Sequence, residues 1–273
     1  MRFLFLLLLT ISTYSLSAQS DSLTTQPEKQ HRFYFYWGYN RTWFSTSTIH
    51  FSGPEYDFTV YDLKAKDRPT KFGWVYLDPT RLSIPQYNWR FGYALRKRFW
   101  VSAGWDHMKY VVNQGQWTTI SGVVTEKISP KYAGSYLNQP IKLETDLLRF
   151  EHTNGFNLIS LDAEWWFPLY KKRPNDRKLR AYWMLGTGGI WMITKTDVHV
   201  FEDGLDNRFH LSGLAFTGKT GPILEWHKRW FLSAQLRSGY VNLPWVPIKN
   251  EAPERADHQV FFWEMIFMGG IRF

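Results

Sequence analysis

"FFWEMIFMGGIRF", residues 261–273, is the stretch on which the reading of this chain turns. Taken alternately, Phe261, Trp263, Met265, Phe267, Gly269, Ile271 and Phe273 form one wholly apolar series. Phe262, Glu264, Ile266, Met268, Gly270 and Arg272 form a second series that carries charge. A period of two puts the series on opposite faces of a β-strand, one greasy and one mixed.

The same alternation, followed towards the N-terminus, predicts seven more strands, over 33–44, 84–95, 99–112, 155–169, 179–193, 211–226 and 230–242, with 258–273 as the eighth. In the fourth, Ile159, Leu161, Ala163, Trp165 and Phe167 oppose Ser160, Asp162, Glu164 and Trp166. In the second, Tyr87, Trp89, Phe91 and Tyr93 oppose Asn88, Arg90 and Gly92. A soluble sandwich turns its apolar face to a core and its polar face to water, whereas a membrane barrel turns the apolar face to lipid. Three features favour the barrel. The polar faces collect opposite charges, Arg90, Asp106, Asp162, Glu164, Lys219, Glu225, Arg237 and Glu264, suited to a narrow, filled lumen. Connections alternate between tight basic turns and long segments, as at the two rims of a barrel. Aromatic residues gather near strand ends, at Trp43, Trp100, Trp165, Trp166, Trp191, Trp226, Trp230 and Tyr240, where interfacial girdles belong. The expected fold is all-β, an eight-stranded antiparallel transmembrane up-and-down β-barrel with long extracellular loops.

Composition agrees. The 273 residues include 21 Phe, 15 Trp and 15 Tyr, and no Cys, so neither a disulfide framework nor a thiolate metal site is expected. The net charge of +9 sits largely in short clusters between strands, at Arg96–Arg98, Lys171–Lys178 and His227–Arg229. That distribution suits turns beside lipid headgroups, and without a nucleic-acid-binding motif it speaks against a nucleic-acid partner. Residues 1–18 have the basic start, short apolar centre and small-residue end of a secretory signal peptide. Residues 19–32 then form a periplasmic extension and 33–273 the barrel.

A signal peptide, eight alternating strands and a last strand ending "GGIRF" resemble the small eight-stranded outer-membrane β-barrel proteins of Gram-negative bacteria. The resemblance implies the cell outer membrane, with its lipid and lipopolysaccharide, as the surroundings. It also implies that Phe273, with Ile271 before it, is the signal read by the barrel-assembly machinery. A structural or surface-interaction role through the long loops is expected, with a narrow pore as an alternative.

Chemistry-bearing motifs are sparse. His152, Thr153 and Asn154 partly resemble the His-x-Ser-Asn stretch of the outer-membrane lipid A deacylases. That likeness implies a hydrolase with His152 as base, Thr153 as nucleophile and Glu151 as orienting carboxylate. The spacer is absent and Thr replaces Ser, and neighbours on a strand point to opposite faces, which opposes a nucleophile–base pair. Asp106 is expected to pair with Arg90, and His107 and Lys109 to sit at headgroup level. The histidines lack metal-ligand spacing and no cofactor motif is present, so no metal or cofactor is expected. Gly186, Gly188 and Gly189 read as packing glycines within a strand. Between the first two barrel strands, Phe58 and Val60 alternate with Asp57, Thr59 and Tyr61, predicting a separate hairpin. "QWTTISGVVTEKIS" predicts that the third and fourth strands continue beyond the membrane as a ribbon.

Overall fold

A computed structural model describes residues 31–71, 73–77, 85–169, 179–201, 203–206, 208–248 and 254–273. The expected signal peptide, most of the following extension and the Lys171–Lys178 turn lie outside the described residues. In chain order the strands are β1 (Phe33–Phe44), β2 (Ser47–Gly53), β3 (Tyr56–Leu63), β4 (Ala65–Lys66), β5 (Tyr87–Arg96), β6 (Phe99–Val112), β7 (Trp117–Val124) and β8 (Gly134–Lys142). They continue with β9 (Leu148–Pro168), β10 (Leu179–Thr194), β11 (Asp197–Val200), β12 (Asp203–Asp206), β13 (His210–Trp226), β14 (Trp230–Pro247) and β15 (Arg255–Arg272).

Eight of them close a ring. The order β1-β5-β6-β9-β10-β13-β14-β15 is antiparallel throughout, and β15 returns to β1 in register from Tyr34↔Arg272 to Phe44↔Phe262. Closure pairs both edges of every strand, which a sheet immersed in hydrocarbon requires because no water is present to satisfy a free edge. The seam is finished by the terminal residue itself: Phe33 N donates to Phe273 O (2.8 Å), Phe273 N donates to Phe33 O (2.9 Å), and the two rings stack.

The distribution of apolar surface is inverted relative to a soluble domain. On β15 Phe267 is 58% exposed while Phe262 and Glu264 are fully buried. Trp43, Trp165, Trp191, Trp230 and Tyr240 are exposed on the outer wall. Trp100 and Trp166, expected in the girdle, are instead inside the ring and stacked at 4.8 Å. The chain is therefore a transmembrane β-barrel whose apolar face is turned outward.

The interior is filled at three levels. At the short-turn end Tyr34, Tyr36, Trp100, Trp166, Met184, Ile223, Phe231 and Met268 pack into an apolar plug. The charged residues occupy the middle. Above them, an apolar core containing Ile49, Phe51, Phe58, Tyr110, Phe150, Phe156 and Leu243 fills an extension of the barrel wall. The lumen is thus not ionic along its whole length, as alternation alone suggested.

That extension is built from the long connections. β1 kinks at 45–46 and resumes as β2, which pairs with the start of β15 (Asp257↔His50) and forms the expected hairpin with β3. "QWTTISGVVTEKIS" does not prolong the third and fourth barrel strands together. Its strand, β7, joins β3 and β8 and extends the sheet of the first loop. β8 ends that sheet. Its register shifts opposite Ile120 and Gly122, with Asn138 at φ 49, and Ser121 Oγ holds the kink by accepting from Asn138 N (2.9 Å). On the other side β9 starts at Leu148, earlier than expected, and pairs with β11.

Closure gives a direct test. The unboiled protein should migrate on a detergent gel as a compact band that boiling abolishes. Met268→Pro, which removes an amide from a strand paired on both edges, should eliminate that band.

Candidate functional site

The central layer of the lumen draws on every barrel strand except β10. Arg90 (β5) donates from Nε to Tyr36 Oη (2.9 Å), from Nη1 to Asp162, and from Nη2 to Ser160 Oγ (2.9 Å) and Asp106 Oδ2 (3.4 Å). Arg237 (β14) donates to Asp106 Oδ2 (2.7 Å), to Asp162 Oδ1 (3.1 Å) and, from Nη2, to Thr217 Oγ1 (2.8 Å). Lys219 (β13) bridges Asp162 Oδ2 (2.6 Å) and Glu164 Oε1 (2.7 Å). Glu164 also accepts from Tyr34 Oη (2.7 Å), Ser102 Oγ (2.5 Å) and Trp166 Nε1 (3.1 Å). All these ionic groups are buried. Such charges are tolerated because each is paired and further hydrogen-bonded; removing one partner strands the other in a medium that solvates it poorly.

β10 contributes space. A Cβ on Gly188 would lie 2.2 Å from Asp162 Oδ1, and one on Gly186 would lie 2.8 Å from Lys219 Cε. The "GTGG" run is therefore the gap into which the ion cluster leans.

Glu264 stands apart. Its Oε1 accepts from Asn88 Nδ2 (2.9 Å) and its Oε2 meets no donor, so among the described residues it makes no direct ion pair. The cluster sets Arg90, Lys219 and Arg237 against Asp106, Asp162, Glu164 and Glu264, one carboxyl more than it has cations. Glu225, expected in this network, lies at the short-turn rim. There it pairs with Arg272, whose guanidinium lies over Trp100 at 5.0 Å, and with Arg180 (3.7 Å).

The hydrolase constellation is not assembled. β9 runs through Asn154 and Gly155 with a bulge against β6, and no turn brings neighbouring side chains together. Glu151 accepts from Arg68 Nη1 (2.8 Å) and Arg149 Nη2 (2.9 Å). His152 is buried in the upper core between Phe150, Phe156 and Tyr110. The hydroxyl beside it belongs to Thr196, 2.7 Å from Nδ1, and not to Thr153. His107 and Lys109 are also buried, which departs from the headgroup position expected of them. The segment after β4 covers this stretch: Thr70 Oγ1 accepts from Lys109 Nζ (3.2 Å), and Asp67 accepts from Thr42 N (3.2 Å) and Gln86 Nε2 (2.6 Å). His107 Nδ1 lies 2.6 Å from Asn157 Oδ1, with its ring stacked on Tyr87.

Two histidines meet where sequence spacing showed nothing. His152 Nε2 and His258 Nδ1 lie 3.4 Å apart with parallel rings, and both are fully buried. They sit above the apolar belt, where β15 turns Gln259, Asp257 and Arg255 outward in place of aromatics. Burial holds both imidazoles neutral, with the His152 pKa pushed well below its usual value and that of His258 down to about 3. Among the described residues no group of three or more His, Cys, Asp or Glu side chains is arranged to hold a metal ion.

A closed eight-stranded ring with an outward apolar belt and a packed, ion-paired lumen defines the class, a transmembrane β-barrel of the plugged kind. No family model matches the chain, and no curated protein matches it. Among solved structures it is similar to Neisserial surface protein A, at 10% identity over 88% of this chain and 97% of that one, with a TM-score of 0.36. It is likewise similar to the attachment invasion locus protein Ail of Yersinia pestis (13% identity, 89% and 99% covered, TM-score 0.33) and to the outer membrane protein OprG from Pseudomonas aeruginosa (10%, 89% and 97%, 0.36). The assignment to a barrel rests on the ring and its belt, not on these likenesses.

Two outcomes are expected. Glu264→Gln keeps the Asn88 bond and removes the unmatched carboxyl, so the folded band should melt within a few degrees of wild type. Asp162→Asn deprives Arg90, Lys219 and Arg237 of a shared partner and should cost about 3–5 kcal/mol. The histidine pair makes the upper core acid-sensitive. Its folded-state pKa values lie below the unfolded value, so the stabilisation is complete above about pH 6.5 and falls by about 1.4 kcal/mol per pH unit per histidine as pH drops towards 3. Protection factors of amides around Tyr110 and His258, corrected for the pH dependence of intrinsic exchange, should therefore fall between about pH 6.5 and 4 while those of the ring stay high, and His152→Phe should reduce the effect.

Proposed function

We propose that this protein is an integral outer-membrane barrel that does not conduct and that holds a rigid β-sheet outside the cell as a contact surface. The observation that carries the reading is the filling of the lumen from end to end. Trp100, Trp166 and Phe231 close the short-turn end, Arg90 and Arg237 bridge the middle, and Phe51, Phe150 and Phe156 fill the top. An eight-stranded ring has little free cross-section to begin with, and here side chains occupy it.

The long connections support the second half of the reading. Loops without a recognition role are usually short or irregular, whereas ordered loops of this size tend to be functional. In this chain they form the sheet β15-β2-β3-β7-β8 over its own core. The inward residues of β2 and β3, Ile49, Phe51, Phe58 and Val60, are buried. The alternate positions carry a cross-strand row of Asp257, His50, Thr59 and Ser121. Short polar side chains on a fixed plane suit contact with another surface. A hydrolytic role finds no support in the placement of Glu151, His152 and Thr153.

The natural chain has no cysteine, so single-cysteine labelling is clean. Ser121→Cys should react with a membrane-impermeant maleimide on intact cells, and the purified protein should give no conductance steps in a planar bilayer. Regular steps, or a Ser121→Cys that labels only after lysis, would overturn the reading.

A further inference from the structure

The outer wall is not uniformly filled. A groove of about 530 Å³ runs along the belt between Trp37 and Tyr39 of β1 on one side and Leu224 of β13 and Leu232 of β14 on the other, with Ala234 and Gly269 as its floor. Packing does not require this gap. A Cβ on inward-facing Gly270 would lie 2.2 Å from Phe231 Cζ, so that glycine is forced. A Cβ on Gly269 would meet only Leu232 Cδ2, at 3.6 Å, so a larger outward residue has room there. In a belt of Phe, Leu and Trp, an unforced Gly beside an Ala leaves a furrow.

A second anomaly lies next to it. The β13–β14 turn, in which Arg229 N donates to Trp226 O (3.2 Å), holds His227 at φ 50 and Lys228 at φ 58. Two successive positive φ values define the hairpin turn for which Asn-Gly is relaxed, and side chains such as His and Lys sit there under strain. Strain retained at an exposed turn points to a use for the side chains it holds. His227 and Arg229 are exposed. The groove begins two residues from this turn, at the Leu224↔Leu232 pair, and Ala234 lies about 7 Å further along the wall.

We propose that groove and turn together form a binding site for one anionic glycerophospholipid of the inner leaflet. One acyl chain lies over Gly269 and Ala234, and the phosphate is held by the His227–Arg229 turn. The site rests on the reading of the chain as a membrane barrel with its short turns at the periplasmic rim. An apolar furrow alone accepts any acyl chain. The cations at its mouth supply the selection for negative charge, about fivefold per cation near a headgroup surface.

The test uses the full chain refolded into vesicles of phosphatidylethanolamine with a minor share of phosphatidylglycerol, extracted mildly and weighed by native mass spectrometry. Wild type should retain one phosphatidylglycerol in preference to the more abundant lipid. In the turn, Arg229→Gln should leave the heat-modifiable band intact and lower the preference for phosphatidylglycerol about fivefold. Gly269→Leu should fill the furrow and abolish retention of either lipid, with the heat-modifiable band intact. Retention at the bulk lipid ratio, or a selectivity unchanged by the turn variant, would overturn the proposal. So would a dimer that Gly269→Leu dissociates, since a second copy would then be the occupant. Loss of the heat-modifiable band in wild type would instead overturn the barrel reading itself.

Discussion

Every backbone amide in the belt must find its partner within the protein, because hydrocarbon offers none. With eight strands this constraint closes a ring so narrow that its inside has to be solid. Charged side chains then occupy the one place where lipid cannot reach them, and the greasy ones line the wall. The pairing of Arg90 and Arg237 with Asp106 and Asp162 follows from that inversion, and so do the two inward glycines of β10, which leave the volume the ion cluster needs.

Alternation along the chain made the ring legible, since a period of two says which residues share a face. It carries no information about depth or about neighbours across the sheet. Trp100 and Trp166 share parity with Ser102 and Glu164, which already placed them inside, yet their aromatic character suggested the girdle. Glu225 has inward parity too, but its height put it with Arg272 at the rim and not with the central cluster. The contact between His152 and His258 depends on the register of β6, β9 and β15 and left no trace in spacing. The burial of His107 is hidden for a related reason: the segment that covers it comes from the loop before β5, and no local pattern records where a loop lies.

The three levels of the lumen divide the work of the fold. The aromatic plug and Arg272 hold the first and last strands together where the chain closes on itself. The ion cluster ties opposite walls across the middle. The upper core is held mainly by apolar contacts around two neutral imidazoles, with Thr196 bonded to His152, which is why acid should loosen the sheet built on it before it affects the ring. Strand β15 runs through all three levels, linking the presented surface to the seam without a hinge.

The sheet above the membrane ends at β8, whose outer side has no strand beside it among the described residues. Where molecules crowd together, such a border invites chains to add themselves indefinitely. The kink at Asn138, locked by Ser121, and the missing amide of Pro140 interrupt the ladder a newcomer would have to follow. Molecules of this protein can thus stand side by side at high density without knitting into a fibril.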